Sequence, residues 1–440
     1  MPEPCQTLIH AAMVLTQDER RTRLHDAGIA ICDGLIAALG PWAEVAEQFA
    51  AETTLDLGES LILPGLINTH THAAMAMFRG VADDMPLESW LHDRIWPLER
   101  GLSDAFVHLG ALLACTEMIR TGATCFADMY LFEEATARAV EQSGLRAVLA
   151  EGLLDFPTQS YATNAEAFTR MEALFERLQG NPRLRGAVAP HSVYATSPDI
   201  LTRSFAFAEK HNAVWMLHAA ETHAETLECL QRFGKRPLAC LDDLGLLAPR
   251  TLLIHAVDLD AAELDRVAVT GAMVAHIPKS NMKLASGVAP VTAMHERRIR
   301  VGLGTDGAAS NNTLNMFSEM TFCALLHKLV ERNASVLPAQ TVLDMATRRG
   351  AACLGWPELG RLERGLPADL VALDLTAPNL LPLYDPVSHV VYAATGDEVR
   401  LTMVAGKILY HDGSFTSIDV KALRAEVKQI SQKICAALKG

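Results

Sequence analysis

Two histidines stand two residues apart at the end of an apolar run in "LINTHTHAAM", at His70 and His72. Alternate residues of a strand project from one face, which sets these imidazoles about 6–7 Å apart along the chain. Two nitrogens so placed can grip one ion at roughly 2 Å each. Four further apolar runs end in polar residues of the same kind: His191 in one, His218 in the next with Glu221 three residues on, then His255, then Asp306. His218 and Asp306 complete, with His70 and His72, a set of three imidazoles and one carboxylate that leaves room for a water. Such a set suits Zn2+, with Fe2+ or another divalent ion as the substitute. An isolated H-x-H is more often a hydrogen-bonded pair at a core or rim. Five strand ends that converge in ligand-type side chains favour a metal site instead.

An ion of this kind brings the pKa of its water towards neutrality, so the expected chemistry is hydrolytic attack on an electrophilic carbon. Glu221, on the loop that follows His218, is the expected proton shuttle. Glu225 and Glu228, in "HAAETHAETLE", read as solvated acids at a helix start. His255 either orients the nucleophile or ligates a second ion. A second ion needs a bridging group, and no strand before His218 ends in a lysine that could be carboxylated, so one metal is expected.

Side chains at strand ends need strands. Eight short apolar segments alternate with helical ones: 65–72, 122–129, 145–153, 184–191, 213–221, 251–257, 272–278 and 299–307. Near-continuous apolar strands between helices indicate a parallel sheet covered on both faces, and eight units indicate a closed (β/α)8 TIM-like barrel whose reactive groups sit where strands end. Ser103 predicts an N-cap for a helix to Thr121, and Ser197-Pro198 opens another through Lys210. The two chain ends differ in style. Residues 1–63 alternate and turn at Asp33-Gly34, a hairpin signal. Residues 366–418 repeat that pattern. Neither end folds alone comfortably, so they are expected to pair as one small discontinuous β-sandwich around a barrel of residues 64–365. Residues 419–440 read as a terminal helix.

Bulk properties narrow the classes. The chain has 440 residues, net charge −14, a pI of about 5.6 and a half-hydrophobic composition. An acidic globular surface argues against nucleic-acid or anionic-membrane partners. Nine cysteines without a C-x-x-C pair, and no visible secretion signal in "MPEPCQTLIH", set a cytoplasmic protein as the expectation. No apolar run is long enough to span a bilayer. Base rates for such barrels set a homodimer as the oligomeric expectation.

These residues resemble the amidohydrolase superfamily, through "PGLINTHTH" (64–72), "HAAETHAE" (218–225), "LIHAV" (253–257), "PKSNMKLASGVAPV" (278–291) and "GTDGAASNNTLNM" (304–316). Within it the chain is similar, over nearly its full length, to 5-methylthioadenosine/S-adenosylhomocysteine deaminases, above all in "FRGVADDMPLESWLHDRIWPLE" (78–99). The resemblance implies hydrolytic deamination of a 6-aminopurine nucleoside to the 6-oxopurine and ammonia. It implies His70, His72, His218 and Asp306 as metal ligands and Glu221 as the group that protonates the ring nitrogen. His255 would polarise the water, and Asp306 would pass a proton to the leaving amine. It further implies Glu99 on the ribose hydroxyls, His191 facing substrate, Trp90 as an apolar wall, and Ser310 as an assistant after Asp306. Without it, Glu99 in "PLERG" reads as a surface acid.

One departure bears on specificity. Family members that take S-adenosylhomocysteine carry two arginines after the third strand that meet the amino-acid carboxylate. Here Glu151 stands at the first position, and no arginine occurs between Arg146 and Arg170. The expectation is a preference for 5'-methylthioadenosine or adenosine, with Glu151 as a source of repulsion and Lys279, Lys283 or a partner chain as the substitute cation. The alternatives are deamination of a free base (guanine, 8-oxoguanine, cytosine) or triazine hydrolysis on the same scaffold, and a non-catalytic binding barrel. Glu99 discriminates against the first pair, because a free base has no ribose diol.

Overall fold

A computed structural model describes residues 1–437. Eight parallel strands form the centre: Leu66–Thr71, Ala123–Tyr130, Arg146–Leu153, Ala189–Pro190, Trp215–Ala219, Thr251–His255, Met273–His276 and Val301–Leu303. The expected segments are present, most of them shorter, and the fourth is split, with Leu184–Gly186 pairing on its own before Ala189. Isolated bridges Val188–Trp215 and Ser192–His218 join the two four-strand arcs. The ring closes where Thr305 N and Asp306 N donate to His70 O. Gly304 makes that closure sterically feasible, since a Cβ there would lie 2.8 Å from His70 N.

The barrel interior is filled by small and branched residues, among them Ile67, Ala127, Val148, Met216, Ile254 and Ala275. Helices cover the outside. Asp104–Arg120 and Pro198–Lys210 begin where their caps predict, with Ser103 Oγ and Ser197 Oγ accepting from Phe106 N and Ile200 N.

The chain ends share one mixed nine-stranded sheet. Ser60–Pro64 runs beside Glu3–Leu15 on one side and pairs antiparallel with Leu370–Asp374 on the other, so the N- and C-terminal parts join at Leu63–Val371. Arg23–Cys32 and Leu35–Pro41 form the expected hairpin, with Asp33 and Gly34 both at positive φ as a tight two-residue turn requires. The sheet buries Ile9, Ile29, Ile31, Ile62, Leu370 and Met403 as a core separate from the barrel's. Val420–Ala437 is helical, and residues 438–440 of the expected terminal helix lie outside the described residues. Among the described residues no single helix is long and apolar enough to cross a membrane.

Candidate active site

A cavity of about 330 Å³ opens where the barrel strands end. His72, Glu99, His191, His218, Glu221, His255 and Asp306 all line it, together with Trp90. His70 lies beneath them, fully buried.

The imidazoles are aimed by hydrogen bonds made on their far sides. His72 Nδ1 donates to Met129 O at 2.6 Å, and His218 Nδ1 donates to His191 O at 2.9 Å, so each turns a bare Nε2 towards the barrel axis. The rings of His70, His72 and His218 lie 4.8–5.4 Å apart centre to centre. One ligand atom from each of the three falls within 4.8 Å of the others. Asp306 Oδ1 lies 3.5 Å from His70 Nε2 and 3.3 Å from His72 Nε2. Two donors held at about 2.1 Å by a tetrahedral ion are about 3.4 Å apart, so these spacings suit ligands of one centre.

Two further observations fit a divalent ion. Neither ring nitrogen of His70 has a hydrogen-bond partner among the described residues, although both are buried. Burial also pushes the His70 ring down to about 4, which keeps its lone pair free. Burial alone would raise the Asp306 carboxyl, but the adjacent His70 and His72 imidazoles hold it well below the usual range. Its Oδ2 accepts from Ser280 Oγ at 2.7 Å and Ser310 Oγ at 2.8 Å, and Oδ1 from Gly307 N at 2.8 Å. Ser310 is therefore committed to Asp306 and does not line the cavity.

Glu221 is buried, and burial raises its pKa. Its Oε2 lies 3.7 Å from His255 Nε2. His255 Nδ1 donates to Asn281 Oδ1 at 2.8 Å, so Asn281 fixes which nitrogen faces the cavity. His255 and Asp306 both take positive φ, near 70° and 63°. Non-glycine residues held in the left-handed region gather at functional sites, where the surrounding structure compels them. His191 is half-buried, and burial pushes its ring down to about 3.

Three sequence expectations are corrected here. Glu225 is buried rather than solvated: its carboxylate accepts from Ala220 N at 3.2 Å and Glu221 N at 2.7 Å, and burial pushes it up to about 8. The surface reading of Glu99 fails too, because Glu99 faces the cavity and accepts from Tyr130 Oη at 2.6 Å, with burial raising its pKa. Glu151 offers no repulsion to a substrate. It points out of the barrel, where it accepts from Phe132 N at 3.2 Å, Glu133 N at 2.9 Å and the Ser160 hydroxyl, bracing the start of helix Glu133–Ser143.

Lys279 and Lys283 do not line the cavity. Lys279 Nζ donates to Thr313 and Lys283 Nζ to Asp83. Among the described residues, the one arginine or lysine that does line it is Arg100. Tyr130, Asn281, Glu225 and Arg100 were not singled out from the sequence. Asn281 and Glu225 fall inside the motifs at 278–291 and 218–225, whereas Tyr130 and Arg100 lie in none of them.

The amidohydrolase family matches residues 61–409 of the chain. The sequence is 54% identical to the 5-methylthioadenosine/S-adenosylhomocysteine deaminase of Nitratidesulfovibrio vulgaris (strain DSM 19637 / Miyazaki F), over 98% of each chain. It is 42% identical to a 5'-deoxyadenosine deaminase of Methanosarcina mazei, again over 98% of each. Among solved structures, a Xanthomonas campestris adenosine deaminase with bound zinc superposes with a TM-score of 0.97 at 37% identity. That match covers 99% of this chain and all of the other.

Proposed function

The chain belongs to the amidohydrolase family, and we propose that it is a metal-dependent aminohydrolase acting on adenosine-type nucleosides. The reaction replaces the 6-amino group by oxygen: water adds at C6, the C6–N bond breaks, and a 6-oxopurine nucleoside and ammonia leave. One ion, Zn2+ in this reading, would be held by His70, His72, His218 and Asp306 and would supply a Lewis acid that activates the water. Glu221, whose pKa burial raises, delivers a proton to the ring nitrogen beside C6, giving the electrons of the attacked bond somewhere to go. His255, oriented by Asn281, accepts a hydrogen bond from the attacking water, and Asp306 takes a proton from that water and passes it to the departing amine. His191 faces the purine.

The observation that carries the nucleoside reading is Glu99. A carboxylate fixed by Tyr130 in the same cavity as Glu221 suits a pair of adjacent hydroxyls, which a ribose has and a free base lacks. The outer wall is apolar, formed by Trp90, Leu91, Trp96, Leu154 and Phe156. This wall suits a small or apolar 5' substituent, so 5'-methylthioadenosine and adenosine are the proposed substrates ahead of S-adenosylhomocysteine. The same reading makes the chain a protein of the cytoplasm with a small-molecule partner.

The test is ammonia release from adenosine, 5'-methylthioadenosine, S-adenosylhomocysteine, guanine and cytosine. The nucleosides should turn over and the bases should not. Faster turnover of guanine or cytosine would overturn the reading, and a higher kcat/KM on S-adenosylhomocysteine would overturn the ranking.

A further inference from the structure

A second group of ligand-type side chains lies outside the cavity. His276 ends the seventh barrel strand. Met273 and Ala275 of that strand face the barrel interior, so His276 faces the surrounding helices. Helix Met316–Val330 lies there and carries Cys323 and His327, four residues apart and hence on one face. All three side chains are buried, and one ligand atom from each lies within 4.8 Å of the other two. None of them lines the catalytic cavity.

The closest pair is His276 Nε2 and His327 Nε2, 3.2 Å apart. That distance matches both a hydrogen bond and the separation of about 3.4 Å between two nitrogens on one tetrahedral ion. Two neutral rings that face each other through Nε2 share at most one proton, and His276 Nδ1 is also buried with no partner among the described residues, so His276 is incompletely satisfied by the protein. Burial holds both rings neutral, His327 at about 4 and His276 well below the usual range, so each keeps a lone pair to give. Cys323 adds a soft donor. Burial above all, and then Glu319 one turn before it, raise the Cys323 thiol, which a bound cation would offset.

We propose that His276, Cys323 and His327 form a second metal site that takes a thiophilic ion of the Zn2+ class and ties helix Met316–Val330 to the barrel. Two imidazoles and one thiolate are a donor set that selects such ions over oxygen-seeking ones. Binding replaces the Cys323 S–H bond by a sulfur–metal bond and releases one proton to water. The role is structural, and turnover does not pass through it.

Cobalt separates the two centres. The catalytic residues include no thiol, so a near-ultraviolet thiolate-to-cobalt charge-transfer band reports the second site alone. Full-length protein, stripped of metal and reloaded with Co2+, should bind about two ions per chain and show this band. Cys323→Ser should bind about one ion, lose the band and keep the wild-type kcat. A reloaded wild type with about one ion and no such band overturns the proposal, whether or not the variant folds. A band that survives Cys323→Ser also overturns it, since another thiol would then be responsible.

Discussion

Tyr130 Oη donates to Glu99 Oε1 at 2.6 Å across 31 residues of sequence, and both groups face the same cavity. This bond engages Oε1 of a carboxylate that lines the site. Tyr130→Phe should raise KM for adenosine several-fold with little change in kcat. Glu99→Ala should raise KM by about 10-fold or more, in line with the loss of a hydrogen bond to a charged group. A 2',3'-dideoxynucleoside should be affected by neither change. Equal effects on the ribose and dideoxyribose substrates would refute the diol contact.

Glu221→Gln removes the proposed proton donor while keeping its shape. We expect kcat to fall by about 10²–10⁴-fold, the usual scale for a positioned acid, with metal content unchanged. Parallel metal analysis and steady-state kinetics check this. A variant that keeps more than a tenth of wild-type kcat would reassign the shuttle.

Glu225 holds the Ala220–Glu221 backbone by two N–H bonds and does not line the cavity. Its removal should displace Glu221. Glu225→Ala is expected to lower kcat by about 10–100-fold while His70, His72 and His218 keep their ion. A drop in metal content of the same size would show instead that the loop as a whole had collapsed.

Arg100 is the single arginine or lysine on the cavity wall among the described residues. Whatever activity the protein has on S-adenosylhomocysteine should lean on it. Arg100→Ala should reduce kcat/KM for S-adenosylhomocysteine by about 10-fold, the scale of one partly exposed charge contact, and leave 5'-methylthioadenosine within about two-fold. Equal losses on both would mean that Arg100 shapes the wall and does not read the carboxylate.

Burial pushes the Glu319 carboxyl from 4.5 up to about 7. The folded chain therefore holds this proton more tightly than the unfolded chain does. Its contribution to stability is full below about pH 4.5 and is lost as the pH rises through about 7, up to about 3 kcal/mol for a shift of that size. Tm should fall between pH 5 and pH 8, and Glu319→Gln should flatten the slope. An unchanged slope in the variant would exclude Glu319 as its source.

How much the sequence disclosed depends on how local each feature is. His70 and His72 were legible because the two-residue repeat of a strand puts both on one face. His218, His255 and Asp306 were legible because a barrel delivers every strand end to one rim, so position within a strand serves as a coordinate in space. The pairing of the chain ends followed from their alternating pattern and their small apolar surface. The sequence alone thus determined the architecture and the inventory of polar groups at the rim.

The tertiary structure decided their partners. Tyr130 beneath Glu99, Asn281 behind His255 and Glu319 beside Cys323 depend on the register between strands and on helix packing, which no local repeat encodes. Glu151 shows the limit most clearly. Its place in the chain suggested a charge facing substrate, but strand alternation turns it outward to three donors on the barrel's far side. A one-residue difference in register reverses which face a side chain takes, and the packing of the whole barrel sets that register.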